Sequence, residues 1–127
     1  MVTLHGVVIE IKPENVLGDK LTILKYGNGI GRLDFSYYRY AMITLYRTEG
    51  GEDIFKLEES GYSQVHTLSG TNGPICSFKT SLNPLRFDDK YDVDILSTEF
   101  PKDVLEELMF YAGEILYRMV RPDQPAP

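Results

Sequence analysis

Apolar residues recur along this chain with two different periods, one over most of its length and another over its last regular segment. Between residues 2 and 96 they alternate with polar residues in short runs, separated by Gly, Pro, Asn and Asp. Such runs, rich in β-branched and aromatic residues, are typical of β-strands joined by turns. They predict seven strands at residues 2–12, 20–26, 35–48, 53–57, 62–68, 75–80 and 91–96.

Residues 101–121 have a period of three to four, which is typical of an amphipathic helix. One broad face carries Val104, Leu105, Leu108, Met109, Ala112, Ile115, Leu116, Met119 and Val120. Pro101 suits the first turn, and Pro122 ends the helix. We therefore expect one α+β, mainly β domain over residues 1–121. In it, an antiparallel barrel or strongly bent sheet of about six to seven short strands is closed by one C-terminal helix. Residues 122–127 are expected to form a disordered tail.

Alternation within two strands predicts which side chains face the core. In residues 35–48 the core side carries Ala41, Ile43 and Leu45, and the other side carries the tyrosines Tyr38, Tyr40 and Tyr46. In residues 91–96 the inward side chains are Tyr91, Val93 and Ile95, and the outward ones are Asp92 and Asp94. The tyrosine side is expected to be half exposed or to lie under another element.

The formal net charge of −6, from 13 basic and 19 acidic residues, bears on the choice of partner. Nucleic-acid backbones and anionic membranes both attract Lys and Arg, so this charge argues against general binding to either. It is compatible with a basic protein partner, and it also keeps a protein in solution. The chain contains no cofactor motif, and we expect no bound cofactor.

Cysteine usage and the first residues bear on the compartment. The single Cys76 excludes an internal disulfide, as is usual in reducing compartments. Residues 1–14 contain no basic leader, and Glu10 interrupts their apolar run. No stretch reaches the roughly 18 apolar residues of a membrane span. We therefore expect a cytoplasmic protein.

The glycine run at residues 27–31, with Gly27, Gly29 and Gly31, follows a strand as phosphate-binding loops do. A dinucleotide-binding loop requires glycine where Arg32 stands and a helix after it. The residues that follow have a strand pattern instead. We interpret the run as a flexible hairpin loop, with an anion-binding loop as the alternative.

Four aspartates near the last strand are candidates for a cation site. Asp88, Asp89, Asp92 and Asp94 supply the oxygen ligands that magnesium and calcium prefer. They lack the central glycine of a calcium loop, and Lys90 interrupts them. A solvated strand face is therefore our interpretation of this set.

Histidine and cysteine supply a further candidate site. His5 and His66 lie on different predicted strands, so they form a metal site only if the sheet brings them together with a third ligand. Cys76 could be that ligand, or a nucleophile beside either histidine. Its apolar neighbours favour a core position instead. A small enzyme is therefore the third of our functional hypotheses.

The tyrosine side of residues 35–48 supports a second hypothesis, nucleic-acid or nucleotide binding. Tyr38, Tyr40 and Tyr46 could stack on bases, as aromatic strands do in single-strand binders. Such sites also need a basic groove, and Arg39 and Arg47 are among few basic residues nearby. We expect no tight binding to DNA or RNA of random sequence. Tyrosine is equally favoured at protein interfaces.

The first hypothesis rests on the helix. Phe110 and Tyr117 fall opposite its main apolar face, with Gly113 between them and Glu106 alongside. A wetted helix face rarely carries two aromatics at that spacing, so we expect this face to be covered by a loop of the chain or by a partner. The partner would be a second copy or a protein target. We therefore predict a non-enzymatic protein-binding module, of the inhibitor, immunity or anti-defence kind, that covers a basic site on its target.

Overall fold

The computed structural model describes residues 2–4, 6–15, 18–36, 40–59, 65–81 and 90–120, which form nine strands and one helix. The strands are β1 (Val2–Leu4), β2 (Val7–Pro13), β3 (Lys20–Lys25), β4 (Asn28–Ser36), β5 (Tyr40–Tyr46), β6 (Glu52–Glu59), β7 (Val65–Gly70), β8 (Gly73–Ser81) and β9 (Lys90–Ile95). The helix α1 covers Lys102–Val120, within the range 101–121 that the sequence pattern predicts, and Arg121 lies outside the described residues. The expected tail at 122–127 lies outside the described residues.

Each strand pairs antiparallel with the next one along the chain, so the sheet is a meander in the order β1 to β9. Short turns bring neighbouring strands together. Tyr26 and Gly27 link β3 to β4, and Thr71 and Asn72 link β7 to β8. Tyr26 and Gly27 have φ values of 51° and 82°, the positive pair that one common two-residue hairpin turn requires.

The described sheet is open, so the barrel alternative of the expected barrel or strongly bent sheet is not confirmed, and it has nine strands instead of about six to seven. Over the described part of the chain, β1 and β9 are its two edges and do not pair with each other. Residues 2–12 form two strands because the chain turns at Gly6, and most of the glycine run belongs to β4. The coarser expectation, a mainly β fold with one C-terminal helix, is confirmed.

One face of the sheet, called here the inner face, packs against α1 and forms the core. Its buried side chains from the sheet include Ile9, Leu21, Ile23, Leu33, Ala41, Ile43, Phe55, Leu57, Leu68, Cys76 and Phe78. From α1 they are Leu108, Tyr111, Ala112, Ile115 and Leu116. Full burial of Ala41 and Ile43 confirms the expected core side of β5. Because side chains alternate along a strand, the tyrosines of β5 lie on the opposite, outer face.

A polar contact joins α1 to β3 at the margin of this core. The hydroxyl of the fully buried Tyr111 donates to Glu107 Oε1 at 2.7 Å, and Lys25 Nζ lies 2.7 Å from the same oxygen. Burial, followed by the nearby Glu107 carboxylate, raises the pKa of Tyr111, so its hydroxyl remains a donor. The contact lets the helix bury a tyrosine without an unpaired hydroxyl.

Candidate functional site

The outward face of α1, opposite its buried stripe, carries the Phe110, Gly113 and Tyr117 that the sequence singled out. The two aromatics differ in environment. Phe110 is half-buried and packs against the core, with its ring centroid 5.8 Å from that of Tyr111. Tyr117 is 55% exposed, and a Cβ added to Gly113 would meet no atom within 4 Å. The intramolecular core therefore accounts for much of the burial of Phe110, whereas Tyr117 and Gly113 remain accessible.

The outer face of the sheet carries Tyr40 and Tyr46 on β5, while Tyr38 lies outside the described residues. Lys56 Nζ lies 4.5 Å from the ring centroid of Tyr40 and 2.8 Å from Glu58 Oε2. The Tyr40 ring is therefore already in contact with a cation, which is itself paired with a carboxylate. Tyr46, at the end of β5, is exposed.

Two arginines near this outer face are also paired with carboxylates. Arg32 Nε lies 2.9 Å from Asp34 Oδ2, and Arg47 Nη2 lies 2.5 Å from Asp53 Oδ1. The hydrogen bond from Arg47 holds the pKa of Asp53 below its usual value. Arg32, Arg47 and Lys56 thus each have a carboxylate neighbour, so the described part of the outer face around them is balanced in charge.

The structure separates the two groups of predicted site residues. The helix packs on the inner face of the sheet, whereas Tyr40 and Tyr46 lie on its outer face. A single partner surface cannot include both groups without reaching around an edge of the sheet. The predicted site residues on α1 and those on β5 therefore belong to two separate surfaces.

The glycine run at 27–31 is a turn and the start of a strand rather than an extended loop. Gly27 occupies the turn, and Asn28 begins β4. A Cβ at Gly31 would lie 2.2 Å from the backbone oxygen of Thr44, so close approach of β5 requires glycine there. The hairpin interpretation is thus confirmed for the turn, and Gly31 has a packing role.

His66 and Cys76 both lie in the core. Burial raises the pKa of the Cys76 thiol to about 11, which keeps it protonated at neutral pH and unsuited to nucleophilic attack. His66 is 7% exposed, its Nδ1 has no hydrogen-bond partner, and burial lowers its pKa. His5, the second candidate histidine, lies outside the described residues.

The aspartates of β9 are exposed on the outer face. Asp92 and Asp94 point to this side, opposite Lys79 and Ser77 of β8. Asp88 and Asp89 lie outside the described residues. In the ranges that the structure describes, no group of three His, Cys, Asp or Glu side chains is placed to hold a metal ion.

The surface that the sequence did not anticipate is the edge strand β9 itself. Val93 and Ile95 pair with Phe78 and Cys76, so they point to the inner face as predicted. Phe78 is only 4% exposed, but Val93 is 36% exposed and Ile95 48%. Leu96, the next residue along the chain, is 55% exposed. The buried core therefore ends at β8, and three apolar side chains at the edge remain accessible to solvent.

Comparisons with protein-family models, with curated proteins and with solved structures find no match for this chain. No helix in the described ranges combines the length and the apolar character needed to cross a bilayer. Of the seven exposed large apolar side chains that are described, three lie on or directly after β9, Tyr46 and Ile54 lie on the outer face of β5 and β6, and Tyr26 and Tyr117 are isolated in sequence. The end of β9 thus carries the largest group of exposed apolar side chains that lie close together in the described sequence.

Proposed function

We propose that the protein is a non-enzymatic binding module for another protein, and that its contact surface is the exposed edge formed by β9. One observation carries this proposal. Val93 and Ile95 on β9 and Leu96 directly after it are between 36% and 55% exposed, and among the described residues β9 pairs with β8 alone. Apolar side chains grouped at an unprotected sheet edge are a common feature of interaction sites.

The energetics favour association at this edge. Fully burying a Val, Ile or Leu side chain contributes roughly 1.5–3 kcal/mol, and these three side chains are about half buried already. Covering the remainder would contribute on the order of 2–4 kcal/mol before the costs of association are counted. A free energy of this size is typical of the few apolar side chains that contribute most of the binding energy at protein interfaces.

The charges near β9 indicate whether a partner should be acidic or basic. Asp92 and Asp94 are exposed on the same strand, and the whole chain has a net charge of −6. A basic partner would be attracted over a distance by the net charge and held locally by the two carboxylates. A protein that covers a basic site on its target, as inhibitors and immunity proteins do, fits this combination.

The test compares matched variants for capture of partner proteins. The double variant Val93→Thr/Ile95→Thr keeps β-branched residues but removes two apolar contacts. The control Ile54→Thr makes the same kind of change at a residue of the outer face that is 46% exposed. We expect a partner captured by the wild type and by the control to be lost by the double variant, with thermal melting nearly unchanged in all three.

A charge comparison completes the test. Asp92→Asn/Asp94→Asn should weaken capture and reduce its dependence on salt, whereas Glu49→Gln/Glu52→Gln removes two exposed charges elsewhere and should have a smaller effect. If capture survives both β9 variants but is lost in Tyr117→Ser, the contact surface is the outward face of α1. That result would contradict the proposal.

A further inference from the structure

We propose that the partner presents an extended segment with alternating apolar and basic residues, which adds to β9 as a tenth strand. This inference rests on the proposed function and specifies the mode of binding and the chemistry of the partner. Addition of a strand to an exposed sheet edge is an established mode of peptide recognition, in which backbone hydrogen bonds supply affinity and alternate side chains supply specificity. Both elements are present at β9.

The backbone of β9 has the groups for such pairing. The amide of Leu96 donates to the carbonyl of Ile75 at 2.8 Å, so residue 96 directs its amide toward β8. Because successive residues of a strand direct their backbone groups to opposite edges, Asp92 and Asp94 share that direction. Val93 and Ile95 therefore direct their amides and carbonyls to the free edge, where a further strand would form hydrogen-bonded pairs with them.

The side chains of β9 define the pattern that the added strand should carry. Residues opposite Val93 and Ile95 would lie on the inner face, where apolar side chains cover the part of the sheet that the core leaves exposed. The intervening residues would lie on the outer face beside Asp92 and Asp94. Asp94 lies opposite Ser77 and so has no cation directly across from it on β8, whereas Asp92 lies opposite Lys79. Lys or Arg in the added strand would pair with these carboxylates.

A second copy of the chain fits this edge less well. The antiparallel two-fold registers that overlap at least five of residues 90–96 of two copies are centred on Asp92, Val93 or Asp94. Each of these registers places an aspartate directly opposite an aspartate on the outer face, which is destabilising. Charged residues on edge strands commonly prevent such self-pairing. A basic segment turns the same two charges into an attraction.

Three synthetic peptides, each built from four Val and four Lys residues and one of them N-methylated, test the inference with the intact protein. The first alternates Val and Lys over eight residues, and the second groups four Val before four Lys. The third repeats the first with N-methyl groups on the valine amides, which would face β9. We expect binding of the first peptide to be roughly tenfold tighter than that of the other two, because they lack the alternation or the hydrogen bonds. In titrations followed by NMR, the shifts should concentrate at the amides of β9.

The outcomes separate this inference from the proposed function. Equal binding of the alternating and grouped peptides, or no effect of N-methylation, would overturn strand addition. If a captured partner requires Val93 and Ile95 but no alternating peptide competes with it, strand addition is wrong and the proposed function stands. A dimer of the wild type that Val93→Thr/Ile95→Thr dissociates would show that a second copy is the occupant, which also overturns the inference.

Discussion

At the scale of single residues, His66 is a titratable side chain that is buried in the described core. It is 7% exposed on the inner face, with Phe78 opposite it on β8 and Glu59 opposite it on β6. Its Nδ1 has no hydrogen-bond partner. Burial lowers the pKa of the imidazole, and the carboxylate of Glu59 opposes that shift only in part. The folded protein therefore holds His66 neutral.

This environment makes stability depend on pH. The unfolded chain binds a proton at His66 near pH 6.5, whereas the folded chain does so only at lower pH. As the pH falls below about 6.5, the unfolded state gains protons first, so the free energy of unfolding should fall until the folded pKa is passed. We expect urea midpoints at pH 7.5 and 5.5 to differ more for the wild type than for His66→Leu. His5 is present in both proteins, so an equal difference would contradict this account.

At the scale of elements, α1 is the part of the fold on which stability depends most strongly. Leu108 is fully buried on the helix face that packs against the sheet. Leu108→Ala should therefore lower the free energy of unfolding by about 2–5 kcal/mol, out of a total of roughly 5–15 kcal/mol for a domain. Chemical denaturation measures the change directly.

Gly113 provides a matched control on the same helix. A Cβ at this position meets no atom within 4 Å, so Gly113→Ala adds helix propensity without a clash. It should raise the free energy of unfolding by about 0.5–1 kcal/mol. Destabilisation by Gly113→Ala, or a Leu108→Ala variant as stable as the wild type, would show that the helix packs differently.

Local patterns in the sequence were sufficient to predict most elements. The three-to-four period predicted α1, whose described residues Lys102–Val120 all lie within the predicted range 101–121, and alternation predicted the buried side of β5 through Ala41 and Ile43. The turn at Gly6 was missed because the apolar alternation continues on both sides of it. The predicted apolar face does not include Tyr111, which is fully buried in the structure. Tyr111 lies four residues after Glu107, and this spacing was the signal in the sequence for the hydrogen bond between the Tyr111 hydroxyl and the Glu107 carboxylate.

The candidate site was harder to predict because it depends on how far the core extends. Alternation correctly placed Val93 and Ile95 on the inner face, but a local pattern cannot show whether anything covers that face. A helix of 19 residues is about 28 Å long, whereas nine strands span about 38 Å at the usual spacing. One helix of this length therefore covers only part of the sheet. Which strand remains exposed depends on where the helix packs, and a local sequence pattern does not show this.

At the scale of the whole molecule, an open sheet has two edges that must be kept from pairing with other copies of the chain. The described residues place β1 at one edge and β9 at the other. At β9 the apolar inner side would favour association, while Asp92 and Asp94 on the outer side oppose pairing between identical strands. The same two charges thus select against a second copy and in favour of a basic partner.

Removal of these charges should convert β9 into a self-pairing edge. In Asp92→Thr/Asp94→Thr the strand gains β-branched residues. It also loses the aspartate–aspartate contacts that form when two β9 strands pair about a two-fold axis centred on residue 92, 93 or 94. We expect its mass, measured by light scattering, to increase with concentration toward a dimer or larger species, while that of the wild type does not.

The control Glu49→Thr/Glu52→Thr removes as much charge away from this edge and should behave as the wild type does. Adding Val93→Thr/Ile95→Thr to the first variant should reverse the association, since the apolar side chains supply its driving force. An unchanged mass for Asp92→Thr/Asp94→Thr would show that these aspartates do not control pairing at the edge of the sheet.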